Sequence, residues 1–207
     1  MSKYTREQLM KTLDLKGYKY FKKGDYNLNI IGIRNSDTAG KVTNRFDDTI
    51  TLSYKIDGEW QYYEFDCTTD PGTSWMEKPW IESKGCAILK EGQYPQSHKI
   101  RLHSGRYEAL GQQNPVTVYR DNNRDDMYNT NSENTDTGLF GINIHRATKY
   151  AGKKSKEIDK WSAGCQVIAA NDDWTKFMKI CRKARDKWGN NFTYTLVDSK
   201  DIATSWL

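Results

Sequence analysis

The apolar positions of this chain fall mostly in short runs of strand type, and helical spacing is confined to a stretch near each end. Thr5 followed by Gln8 fits a capping box, Leu9, Met10 and Leu13 recur at helical spacing, and Gly17 supplies a stop, which predicts a helix over 5–16. Residues 27–34 read as a strand, and the polar stretch 35–47 as a loop. Runs at 48–55 and 59–66 flank Asp57-Gly58, a two-residue hairpin signal. Pro71, Gly72 and Pro79 mark 67–83 as a long structured loop. Strands are expected at 85–89 and 98–103, joined across Gly92, and at 115–120. The Asn/Asp-rich stretch 121–137 reads as loop, 139–145 alternates as a strand, and the lysine-rich 147–160 is again loop. Trp174, Phe177, Met178, Cys181 and Ala184 form one apolar helical face over 172–187, closed by Gly189. Residues 192–197 make a last strand. The pattern predicts a mainly β (α+β) fold with a helix near each end. No repeat or linker divides it, so 1–207 reads as one domain, with 1–35 an accessory N-terminal helix and strand.

Composition narrows the function classes. The 207 residues are 36% hydrophobic and 13% aromatic, which argues for an ordered core. Net charge is +5, from 32 basic and 27 acidic residues, with no Lys/Arg block of the kind that marks a nucleic-acid arm. No run approaches the roughly 20 apolar residues of a membrane helix. Met1 to Leu15 carries charges throughout and does not read as a signal peptide. Nucleic acid and membrane are therefore not expected partners. Four cysteines and three histidines match no zinc pattern, and free thiols are the default. The 121–126 stretch lacks the Gly and terminal Glu of a calcium loop. No metal or organic cofactor is expected.

The sharpest chemical feature is His145 at the end of a predicted strand, with Cys165 twenty positions later behind Ser162-Ala163-Gly164. A thiolate is a nucleophile, and a nearby imidazole can take its proton. Gly164 lets the backbone turn tightly beside the sulfur. Backbone N–H groups in such a turn can face the oxygen of a tetrahedral intermediate.

These residues resemble the catalytic domain of L,D-transpeptidases, in which a His is followed, after a spacer, by Ser/Thr-His-Gly-Cys. The order, the spacing and the Ser, Gly and Cys match. Ala163 stands where the family has a second His, and Val167 where an Arg is usual. Thr68 to Gly72 and Gly85 to Leu89 are loosely similar to the family's Thr-Pro-x-Gly stretch. The resemblance implies an L,D-transpeptidase-like β-sandwich, with Cys165 as nucleophile and His145 as base. It implies that the Arg146 backbone carbonyl orients the imidazole, that Ala163, Gly164 and Cys165 supply the oxyanion hole, and that Ser162 belongs to the same catalytic set.

Around this pair, His103 is a candidate to line the groove or to replace the His missing at 163. Arg120, Arg124 and Arg146 are candidates to pair with substrate carboxylates. Trp161 is placed to wall the site, and Trp75 and Trp80 are further loop aromatics. The implied activity is acyl transfer on peptidoglycan stem peptides, leaning to hydrolysis. The lack of a signal peptide suggests a phage virion, or host cytoplasm before release, with the bacterial cell wall as the place of action and other virion proteins as further partners. A crosslinking or exchange transpeptidase, a protein-directed cysteine peptidase and an inactive virion module are the alternatives. Papain-like enzymes place Cys before His, and sortases separate the pair more widely.

Overall fold

The computed structural model describes residues 2–77, 84–121, 123, 125, 127, 128, 130 and 133–204. Arg124, Pro79 and Trp80 lie outside the described residues.

The chain runs through α1 (Arg6–Leu15), β1 (Asn29–Arg34), β2 (Asp48–Ile56), β3 (Glu59–Thr68) and the short α2 (Thr73–Met76). It continues through β4 (Cys86–Leu89), β5 (Gly92–His103), β6 (Tyr107–Gln112), β7 (Val116–Asp121) and β8 (Thr135–Gly138). The last elements are β9 (Ile144–Arg146), β10 (Gln166–Ile168), α3 (Asn171–Trp188) and β11 (Phe192–Asp198). The result is a β-rich α+β fold. Where a sandwich is expected from the resemblance, the strands close instead into a barrel ordered β1-β11-β5-β6-β9-β10-β3-β2, with β4-β7-β8 as a separate sheet. Closure comes from a parallel pairing of β1 with β11, two strands from opposite ends of the chain.

Local sequence explains the elements that were expected. Both bonds of the Thr5–Gln8 capping box form. Asp57 and Gly58 take φ of 50° and 85°, as a two-residue hairpin turn between twisted strands requires. Every residue of β1 is buried, because one face points into the barrel while Ile31 and Ile33 pack under Leu9 and Leu13 of α1. Helix α3 buries Trp174, Phe177, Met178, Cys181 and Ala184, with Phe177 edge-on to Phe65 at 5.9 Å. Asp172 and Asp173 in its first turn oppose the positive end of the helix dipole.

Three expectations are corrected. The strands at 85–89 and 98–103 do not pair across Gly92: β5 starts at that glycine and runs on to His103, and β4 pairs with β7 instead. The alternation at 139–145 yields only the short β9. The backbone before it bonds to a side chain, since Gln112 Oε1 accepts from the N–H of Phe140 (3.1 Å) and of Ile142 (2.9 Å), and Gln112 Nε2 donates to the Gly138 carbonyl (2.8 Å). The polar 121–137 stretch contains β8, which lies at a sheet edge and needs no apolar pattern. Among the described residues no helix is long and apolar enough to cross a membrane.

Candidate functional site

The twenty-residue spacing of His145 and Cys165 is the length of a crossover. Strands β9 and β10 are adjacent and parallel, and parallel neighbours need a long connection. Their register sets Val167 beside His145 and Gln166 beside Ile144. One step further back, Cys165 lies beside Asn143, and Gln166 N donates to the Asn143 carbonyl at 2.9 Å. Since alternate residues share a face, Asn143, His145 and Cys165 point to the same side of the sheet.

His145 is buried. Its Nδ1 lies 2.9 Å from the Arg146 carbonyl, an acceptor only, so Nδ1 carries the proton and Nε2 is left as the basic nitrogen. The Tyr107 hydroxyl is 3.5 Å from the same Nδ1. His103 stacks on the His145 ring with centroids 4.3 Å apart, and its Nδ1 lies 3.4 Å from Asn143 Nδ2. His103 thus stands beside the base rather than in a distant groove wall. Burial, opposed by the Arg146 carbonyl and aided by His103, lowers the His145 pKa to about 4.

Cys165 keeps part of its surface open, whereas Cys67, Cys86 and Cys181 are buried, and all four are free thiols. Its sulfur donates to the Gly141 carbonyl at 3.3 Å. No hydrogen bond joins it to His145. The protein packed around the sulfur pushes its pKa up to about 11, with the Asn143 backbone N–H acting in the opposite sense. The resting pair is therefore neutral thiol and neutral imidazole, not thiolate and imidazolium.

The turn before the nucleophile is built by Ser162, which is buried. Its Oγ donates to the Cys165 carbonyl (2.7 Å) and accepts the Gly164 N–H (3.1 Å). Ser162 is thus a brace, and the Gly164 N–H expected in the oxyanion hole is already engaged. The Cys165 amide is the donor of that set nearest the sulfur. Gly164 has φ of 128°, and a Cβ there would fall 2.2 Å from the Ala87 carbonyl, so no other residue fits.

The turn is held from below by residues that sequence reasoning missed. Gln166 is fully buried and donates to the Gly164 carbonyl and to the Thr69 carbonyl, each at 3.3 Å. Its Oε1 accepts from the Tyr194 hydroxyl at 2.8 Å. Thr69 O also takes Arg34 Nη2 at 3.1 Å, and buried Arg34 pairs with Asp70 at 3.0 Å. Gly72 N donates to Ser162 O at 2.8 Å. The Thr68 to Gly72 stretch therefore supports the nucleophile turn directly.

Two cavities include neighbours of the pair in their linings. Ala163 and Phe140 line one of about 520 Å³, together with Lys84, Ala87, Arg120 and Asp136. Arg120 is buried there, 3.2 Å from Asp136 and over the Phe140 ring at 4.7 Å. Asn143 and His103 line the other. Trp161 is exposed beside Ser162 and lines neither cavity. Trp75 packs against Val42, Met76 and Cys86 away from the thiol. Among the described residues no cluster of three or more His, Cys, Asp or Glu is placed to hold a metal ion. Comparison with protein-family models, curated proteins and solved structures returns no match for this chain.

Proposed function

We propose that the protein is a cysteine enzyme of L,D-transpeptidase type that forms an acyl-enzyme on a peptidoglycan stem peptide. The observation that carries this reading is the parallel β9–β10 pair, which puts Cys165 and His145 on one sheet face with the imidazole Nε2 available as base. On this reading the β-sandwich of the resemblance is closed here by the β1–β11 pairing.

The chemistry runs from a neutral pair. His145 Nε2 takes the thiol proton as sulfur attacks the amide carbon, and the new oxyanion faces the Cys165 amide. Collapse expels the amine, which leaves with the proton from His145, and a thioester remains. Water then gives cleavage, and an amine gives a crosslink. The partly exposed thiol favours water, which supports hydrolysis of the kind a phage wall peptidase performs at lysis or from a virion.

Incubating purified sacculi with the wild type and with Cys165→Ala, followed by mass spectrometry of the fragments, tests this. Fragments or new crosslinks that depend on Cys165 support it. Identical digests with and without Cys165 refute it. A second reading, an inactive virion or binding module, is favoured by one observation: the sulfur bonds to Gly141 and not to His145. On that reading His145→Ala leaves the alkylation rate of Cys165 unchanged.

A further inference from the structure

Arg101 shares the sheet face of the proposed site and has no role in the scheme above. The β5–β6 register sets Arg101 opposite Ala109, His103 opposite Tyr107 and Lys99 opposite Gly111. Arg101, His103, Ala109, Gly111 and Asn143 line a cavity of about 190 Å³. Its floor is the two small residues of β6, and Arg101 lies across it: a Cβ at Gly111 would fall 1.9 Å from Arg101 Nε and 2.7 Å from its Cδ. The guanidinium thus occupies space that only a glycine at 111 leaves open.

Arg34 and Arg120, which are buried, and Arg182, which is exposed, have acidic partners in Asp70, Asp136 and Glu108. Among the described residues no carboxylate pairs with Arg101. Its charge reaches the neighbouring ring, since the His103 pKa is lowered by burial and then by Arg101. Two residues of the cavity lining contact the reacting groups. His103 stacks on His145, and the Asn143 backbone N–H faces the Cys165 sulfur.

We propose that Arg101 binds a free carboxylate of the substrate, carried by one small amino acid seated over Gly111 and Ala109 on the β5 side of Cys165. This rests on the acyl-enzyme reading and deepens it: the substrate is a peptide with an acid group close to the attacked bond. A planar guanidinium lying in a shallow pocket suits a carboxylate, which it can grip through two N–H groups.

The test compares alkylation of Cys165 by iodoacetate, which carries a carboxylate, with alkylation by its neutral counterpart iodoacetamide. Rates are measured on the wild type, Arg101→Met and Gly111→Ala, as iodoacetate-to-iodoacetamide ratios normalised to glutathione. The wild-type ratio is expected to exceed that of Arg101→Met about fivefold, the scale of an ion pair at a partly exposed contact. Gly111→Ala retains the cation but displaces it, and its ratio is expected to fall in the same direction. Gly111 is not in the left-handed region, so alanine is compatible with its backbone. Equal ratios in all three proteins overturn the carboxylate pocket and leave the nucleophile standing. Failure of both reagents at Cys165 in the wild type overturns the acyl-enzyme reading and the pocket together.

Discussion

At Cys165, desolvation by the protein packed around the sulfur and its bond to the Gly141 carbonyl both favour the neutral thiol. Alkylation proceeds through the thiolate, so the rate follows its population. With a pKa near 11, the iodoacetamide rate is expected to climb through pH 9 and towards 11, and peptide mapping at neutral pH should find Cys165 labelled ahead of the three buried cysteines. A rate that levels off below pH 9 would contradict the neutral resting pair. Removing the base tests the other partner: His145→Ala is expected to lower the rate of sacculus cleavage by a factor on the order of 10² to 10⁴, read as fragment release per unit time. Cys165 and His145 stood out in the sequence as a candidate pair because a small-residue turn before a cysteine is a local signal. Tyr107, Asn143, Gln166 and Arg101 were not legible. They are common residue types, and strand register is what brings Tyr107 beside His145, Asn143 beside His103 and Arg101 into the cavity they border.

Among the elements, the 138–142 segment depends on Gln112 for its shape, since that side chain makes the bonds a sheet neighbour would otherwise make. Gln112→Leu would strand two backbone N–H groups and a carbonyl. The expected cost is about 3 kcal/mol, seen as a fall of roughly 6–12 °C in Tm. An unchanged Tm would mean that the segment finds other partners. The same bonds explain why alternation at 139–145 misled: the apolar pattern is present, but the ladder it implies is replaced by one side chain. The capping box, the Asp57-Gly58 hairpin and the apolar face of α3 were legible because each is fixed by residues within a few positions. Helix α1 is tied to the barrel by Leu9 and Leu13, and Leu9→Ala is expected to cost about 2–5 kcal/mol in urea unfolding.

For the molecule as a whole, barrel closure had no local signal. It joins β1 to β11, and alternation in either strand is equally compatible with a sandwich. Two buried histidines couple this body to pH. His98 bonds to Ser97 and to the Ile142 carbonyl, each at 2.8 Å, and burial lowers its pKa to about 4. His145 is lowered to about 4 as well. The folded values lie below the ordinary one near 6.5, so the unfolded chain binds more protons in between, and stability is lost as pH falls from 6.5 towards 4. Each group contributes up to about 3 kcal/mol of this loss. Urea unfolding at pH 7 and pH 5 reads it, and His98→Gln is expected to shrink the difference.

The sulfur's attachment to Gly141 bears on durability outside a living cell. Peroxide attacks thiolates, and a thiol whose pKa is pushed up to about 11 offers few of them at neutral pH. Slow loss of Cys165 labelling after peroxide treatment at neutral pH, and faster loss as the pH is raised, is the expected outcome.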